Sequence, residues 1–324
     1  MPGREGSQGR IPEFFVVGHA KSGTTALFDM LNGHPQIFMP GNKEPWFLAE
    51  EIRAAPEPRP RGTGWTPDTL EDYLALFAGA KPEQRTGEAS AVYLWSHTAA
   101  RAIAELQPQA KIIAILREPA SFLRSLHLQL VQVYVETEKD LRKALALEDR
   151  RRERREGFDS YWPRATMYSD WIEYAQQLRR FNEHFPRERV LVLIYDDYRN
   201  DNEATLRRLQ RFLEVDDNVP VKARDANPTV QVRSRRLHEL VHSIAAGQGP
   251  VARAVRGSAT ALAPRGMSRQ SAIAIRNRLF FSEPAPPDAD LMLEIRRRFK
   301  PQVQELSDYM DRDLVSLWGY DRLD

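Results

Sequence analysis

Three groups of residues in this chain have the types and spacing to do chemistry on an anion. The first is Val16-Val17-Gly18-His19-Ala20-Lys21-Ser22-Gly23-Thr24-Thr25, where an apolar run ends in a glycine-bearing turn and a helical pattern leaves it. Amide N–H groups at such a helix start have no intrahelical partner, and the helix dipole favours negative charge there. Lys21, Ser22, Thr24 and Thr25 add side-chain donors. The second group lies in KIIAILREPASFLRSLHLQ, with Arg117 directly after an apolar run and Ser125 eight positions later. An arginine fork fits a dianionic phosphate, and a serine hydroxyl adds a donor. Ser121 falls one helical turn before Ser125, on the same face. The third is Glu44 in HPQIFMPGNKEPWFLAEE, followed by Pro45, Trp46 and Phe47. A carboxylate set among bulky apolar groups suits a general base.

The elements that must position these groups follow from the apolar pattern. Phe14 to Val17, Lys111 to Leu116 and Val190 to Tyr195 are short apolar runs that each precede a helical pattern. That alternation predicts an α/β fold, a central parallel sheet flanked by helices in three layers. Ligands of such sheets bind beyond the carboxyl ends of the strands, where Lys21 and Arg117 fall. Further extended segments are expected at Gln36 to Met39 and Arg85 to Ser90, and helices at Thr69 to Phe77, Pro119 to Tyr134, Glu136 to Glu156, Tyr168 to His184 and Asn202 to Leu213. A last helical stretch, Leu291 to Leu317, is expected to break at Pro301. Ala54 to Pro67, with four prolines and two glycines, is expected to be a loop over a site. Residues 1–10 are expected to be disordered, and residues 11–324 to form one domain.

A nucleotide-triphosphate P-loop places lysine after the second glycine. Here Thr24 holds that position, and Lys21 lies two residues before Gly23. The pattern K-x-G-T-T on a strand, turn and helix instead resembles the 5′-phosphosulfate loop of sulfotransferases that use 3′-phosphoadenosine 5′-phosphosulfate (PAPS). Arg117 with Ser125 resembles that family's 3′-phosphate motif, and the resemblance covers residues 11 to 320. It implies a P-loop-like fold in which Lys21 meets the bridging oxygen of PAPS, with Ser22, Gly23, Thr24 and Thr25 around the 5′-phosphate. It further implies that Arg117 and Ser125 hold the 3′-phosphate, that Tyr195 meets adenine, and that adenosine 3′,5′-bisphosphate is the product. The chain lacks the Lys-Thr-His-Leu-like segment of the small-molecule branch, and His97 sits in the different context LWSHTAA. It looks like a bacterial member near the heparan sulfate branch, which places a Glu where Glu44 stands. That likeness implies catalytic roles for Glu44 and Lys21. RTGEASAVYLW is similar to a segment lining the acceptor cleft, which implies substrate contacts for Glu88 and Ser90. No lysine stands in it, and Arg85 is the nearest substitute. Trp46, Phe47, Trp65 and Tyr93 are the aromatic candidates for that cleft. Arg233, Arg235 and Arg236 fall where relatives fold a loop over the 3′-phosphate. His34 before Pro35 is read as structural.

The expected reaction is in-line transfer of a sulfuryl group to a hydroxyl or amine of a small-molecule, lipid or carbohydrate acceptor, with no metal. The alternatives are a kinase with a degenerate phosphate loop, and a non-catalytic protein that binds anionic polymers on the same scaffold. Composition narrows these. With 47 basic and 45 acidic side chains the net charge is +2, which argues against a protein that coats nucleic acid. Arginines number 39 of the 47 bases. Leu147 to Phe158 alternates Arg with Glu and Asp, as expected of a solvated helix with internal ion pairs. There is no cysteine, so a thiolate nucleophile and a disulfide framework are excluded. No apolar run approaches a membrane span, and the polar first residues carry no signal-peptide core, so a cytoplasmic protein without stable membrane insertion is expected. Neither the acceptor nor the oligomeric state is readable.

Overall fold

The computed structural model describes residues 10–54, 67–156, 162–219, 231–232, 281–282 and 284–323. The expectations for residues 1–9, for most of the Ala54 to Pro67 loop including Trp65, and for Arg233, Arg235 and Arg236 lie outside the described residues.

Five parallel strands form the sheet: β1 (Phe14–Gly18), β2 (Ile37–Phe38), β3 (Arg85–Ala89), β4 (Lys111–Leu116) and β5 (Val190–Ile194). Their spatial order is β2-β3-β1-β4-β5, so β1 and β4 lie side by side at the centre. Alternate residues of each strand enter opposite layers, as a period of two requires. Phe14, Val16, Ile113, Ile115, Leu191 and Leu193 face a layer containing α1 (Thr24–Asn32). Phe15, Val17, Ile112, Ala114 and Leu116 face the larger layer. That layer holds α4 (Ala99–Leu106), α5 (Pro119–Gln132) and α8 (Tyr174–Asn182). The sheet is buried on both sides, which is why its strands read as continuous apolar runs. Short helices α2 (Glu50–Arg53) and α3 (Leu70–Ala75) precede β3. α9 (Tyr195–Asn200) and α10 (Asn202–Leu213) follow β5. A two-stranded antiparallel ribbon pairs β6 (Gln231–Val232) with β7 (Phe281–Ser282).

Four expectations are corrected. Tyr195 opens α9 and does not end β5. The segment from Glu136 to Glu156 is two short helices, α6 (Leu141–Ala146) and α7 (Glu148–Arg154). Asp140 starts the first by accepting the Lys143 amide. Only residues 174–182 of the stretch from Tyr168 to His184 are α-helical, after a 3₁₀ turn at Ser169–Trp171. α11 (Ala289–Met310) runs straight through Pro301 and ends at Asp311, which takes φ 49°. Pro301 is exposed, while Ile295, Phe299, Val303 and Leu306 on the other face are buried. Packing on both sides of the proline outweighs one lost hydrogen bond. A short α12 (Leu314–Leu317) follows.

The charged run is not a solvated helix throughout. Arg151 turns inward and donates both terminal nitrogens to Glu136 at 2.7 Å. Glu136 is 2% exposed and also accepts from the Tyr168 hydroxyl at 3.0 Å. Buried Glu148 accepts the Ser169 amide at 2.9 Å and Arg298 at 3.1 Å. Removing Arg151 leaves the Glu136 carboxylate enclosed without a cation, a change that costs about 3–5 kcal/mol. Arg151→Ala is therefore expected to lower the urea midpoint sharply. Arg150→Ala, on the exposed face, is expected to stay within about 0.5 kcal/mol of the parent. Equal effects of the two substitutions would refute this account.

Candidate active site

The turn after β1 and the end of β4 meet. The Arg117 guanidinium donates to the Lys21 carbonyl at 3.0 Å. Lys21 takes φ 62° and Gly23 φ 94°, so the chain reverses twice within three residues before α1 begins. A side chain at Gly23 would approach the Tyr195 ring to 3.2 Å, tighter than ordinary contact. The same ring carries the Arg117 guanidinium 5.0 Å from its centroid. Tyr195 thus braces both turns, a role its place at the end of an apolar run did not reveal. The Tyr174 hydroxyl fixes Arg117 from behind by donating to its carbonyl at 3.1 Å.

The electrostatics of this corner favour an anion. α1 has no side-chain cap and no acidic residue in its first turn. Burial lowers the Lys21 ammonium below its ordinary pKa, and the nearby Arg117 charge lowers it further. Arg124 is lowered in the same way, by burial and then by Arg117. Arg124 was missed in the sequence, since nothing distinguishes it from other helix-surface arginines. Ser22 and Ser125 are buried, Thr24 is buried and Thr25 half-buried. His19 is enclosed by Phe122, Trp171 and Tyr174, and its Nε2 lies 2.6 Å from Gln177. Burial pushes its pKa down to about 4, so it is a neutral support under the turn.

Glu44 lies close by. Its Oε2 accepts the Ala91 amide at 2.8 Å and the Trp46 indole at 3.0 Å, while Lys43 reaches Oε1. Ala91 is pressed against Gly18, where a Cβ would come within 2.9 Å of the Ala91 carbonyl. Glu44 is therefore held one residue away from the start of the Lys21 turn. Glu44 and Trp46 take φ 63° and 54°, a conformation that β3 and the turn after it fix in place. Ser90 Oγ accepts the Trp46 amide and the Tyr93 hydroxyl accepts the Leu48 amide, each at 3.1 Å. A carboxylate offers about four lone-pair positions, and three donors reach this one. One lone-pair direction remains without a donor from these three.

Several residues expected to touch a substrate are instead buried. Phe47 stacks on Tyr73 at 4.7 Å and is buried, as are Tyr93, Glu88 and Ser90. Tyr73 donates to Glu88 at 3.0 Å. Trp46 keeps partial exposure and lies 5.6 Å from the Trp162 ring. Arg85 cannot serve the cleft, because it opens β3 at the opposite end of the sheet and pairs with Glu13 and Glu214 at 2.8 Å. It lines a separate cleft of about 610 Å³ at the amino ends of the strands. His34 is structural: it accepts the Gln36 amide at 3.2 Å, and its other nitrogen meets the Asp216 carbonyl at 2.9 Å.

Residues 12–218 match the Sulfotransferase family, and the chain belongs to it. Carbohydrate sulfotransferase 15 of Mus musculus is 25% identical over 262 residues, covering 63% of this chain and 44% of that protein. Heparan sulfate glucosamine 3-O-sulfotransferase 3A1 of Mus musculus is 25% identical over 211 residues, 64% of this chain and 47% of that protein. The chain thus spans less than half the length of these relatives. The sulfotransferase from Alicyclobacillus acidocaldarius superposes with a TM-score of 0.66 at 25% identity, over 95% of this chain and 98% of that one.

Burial pushes the Glu88 carboxyl up from 4.5 to about 7, and the Glu44 charge adds to the shift. The unfolded chain gives up this proton near pH 4.5, whereas the folded chain keeps it to about 7. Glu88 therefore costs stability progressively between those values, by about 3 kcal/mol in full. Glu88→Gln is expected to gain on the parent over that interval, with a constant offset outside it. Urea midpoints at pH 4.5, 6 and 8 test this, and a pH-independent difference would refute it.

Proposed function

We propose that this chain transfers a sulfuryl group from PAPS to a hydroxyl or amine of an acceptor, with Glu44 as general base. The observation that carries the reading is the contact of Arg117 with the Lys21 turn, which sets two phosphate-sized cationic positions side by side. PAPS, with a phosphate at the 3′ position and a phosphosulfate at the 5′ position, supplies the sulfuryl group and fits such a pair. Lys21, Ser22, Gly23, Thr24, Thr25 and the α1 amides would hold the 5′ end. Arg117 and Ser125 would hold the 3′-phosphate, with Arg124 raising the local positive potential. Lys21 would neutralise the oxygen on which charge develops as the sulfuryl group leaves it. Glu44 takes the acceptor proton, and Trp46 and Ala91 keep its carboxylate oriented. The relatives named for carbohydrate and heparan sulfate glucosamine substrates support a carbohydrate acceptor, against which the exposed part of Trp46 can stack. Adenine would share Tyr195 with Arg117, which lies over one face of the ring, and with Gly23 at one edge.

Calorimetry without magnesium separates this from a kinase: adenosine 3′,5′-bisphosphate is expected to bind at least tenfold tighter than ATP, and equal affinities would overturn the assignment. Glu44→Gln is expected to keep bisphosphate affinity and lose about 10²–10⁴-fold in turnover with labelled donor. Full turnover in that variant removes Glu44 from the mechanism.

Tyr195→Ala is expected to weaken bisphosphate binding about tenfold, while Tyr195→Phe leaves it within twofold. Ribose 3,5-bisphosphate, which lacks the base, is expected to show the same loss. A loss confined to the adenine-bearing ligand would mean that Tyr195 stacks on the base and does not brace the turns.

A further inference from the structure

Two buried side chains of α8 reach both of the turns that meet at Arg117. Tyr174 and Gln177 stand three positions apart, on one face of that helix. The Tyr174 hydroxyl donates to the Arg117 carbonyl at 3.1 Å. Its ring packs against the His19 ring, 5.2 Å between centroids, and against Phe122 of α5 at 6.2 Å. Gln177 Nε2 donates to the Asp170 carbonyl at 2.8 Å, which leaves Oε1 to face His19 Nε2 at 2.6 Å. An amide oxygen only accepts, so His19 carries its hydrogen on Nε2. One helix face thus holds the turn after β1 through His19 and the turn after β4 through the Arg117 backbone.

α8 is itself anchored. Gln302 of α11 donates to Glu173 at 3.3 Å, and Asn182 and Arg179 bond Tyr309 and Glu305 of the same helix. The groups that do the holding are neutral. Burial raises the Tyr174 hydroxyl well above its ordinary pKa and lowers His19 to about 4. A carboxylate in either place would compete with a bound anion for Lys21 and Arg117, whereas a hydroxyl, an amide and a neutral imidazole fix the backbone and add no negative charge. A ligand with an anion at each end gains its second contact cheaply only when the two sites stand at its own length apart. A ligand with one anion has no such requirement.

We propose that Tyr174 and Gln177 are positioning residues that set the distance between the Lys21 turn and the Arg117 turn, and so select a nucleotide phosphorylated at both ends over either half of it. This rests on the reading that the two turns hold opposite ends of one bisphosphate nucleotide.

Calorimetry on the full chain compares adenosine 3′,5′-bisphosphate with adenosine 5′-monophosphate and adenosine 3′-monophosphate. The parent is expected to bind the bisphosphate about tenfold or more tighter than either monophosphate. In Tyr174→Phe the bisphosphate is expected to lose about tenfold, while each monophosphate stays within about twofold. Gln177→Leu, which drops the bond to His19, is expected to behave alike and keeps the test decisive if the first variant folds poorly. All three ligands are measured on one sample, so an unfolded fraction does not alter the ratios. The double variant is expected to lose no more than either single one, because a spacing once released is not released again, whereas independent damage multiplies. Equal losses for all three ligands, a loss shared with one monophosphate alone, no loss in either variant, or losses that multiply in the double variant overturn the positioning role. A parent that binds the bisphosphate no tighter than the monophosphates overturns the donor reading itself, and the positioning role with it.

Discussion

The contact on which the site depends is one between like charges. Burial and the Arg117 charge both disfavour the Lys21 ammonium, yet the fold holds the two residues together through a neutral link, the Arg117 guanidinium on the Lys21 carbonyl. Such an arrangement gains from any anion placed between its members, because the anion removes the repulsion and supplies acceptors together. The sheet order brings this corner together. With β1 and β4 as neighbours their carboxyl ends meet, and with β5 next to β4 Tyr195 reaches across to Gly23.

The C-terminal part of the chain stabilises the same corner from a distance. Glu118, the residue after Arg117, caps α5 by accepting the Ala120 and Ser121 amides at 3.1 and 2.8 Å. It also accepts the Tyr320 hydroxyl at 2.7 Å and Arg296 at 3.2 Å. The helix that presents Ser125 is thereby fastened to α11 and to the chain end. Arg312 grips Asp197 through two bonds of 2.6 and 2.7 Å, just past Tyr195. Two of the three strand ends that build the site are thus clamped by residues about a hundred or more positions away, a burden of non-local contacts that a smaller domain would not carry.

Legibility in the sequence followed the physics of each feature. The strands were readable because buried parallel strands are apolar throughout, and the turns carrying Lys21 and Arg117 could be placed because they follow two of those strands directly. Tyr195 was seen as a candidate but not as a brace, since its contacts with Arg117 and Gly23 join residues about eighty and 170 positions away, beyond the reach of any local pattern. The run from Leu147 to Phe158 misled for the opposite reason. Its alternating charges suit a solvated helix, and only the tertiary fold puts Glu136 within reach of Arg151. Pro301 misled because local propensity predicts a break where flanking core residues hold the helix together.

The two carboxylates beside the Lys21 turn are held in opposite ways. Sequence reasoning assigned Glu44 the apolar setting and gave Glu88 a place in the cleft, whereas the fully buried carboxyl is Glu88. Burial at that depth disfavours a charged Glu88, and the nearby Glu44 charge adds to this, so the pair of carboxylates is held with the proton favoured on Glu88. Tyr73 and Tyr93 cover Glu88, and Tyr93 together with Ser90 holds the Glu44 loop. The hydroxyls that enclose the neutral carboxyl therefore belong to the same framework that orients the charged one. The buried polar groups are the foundation of this corner, and the part left partly exposed above them is Glu44 and Trp46.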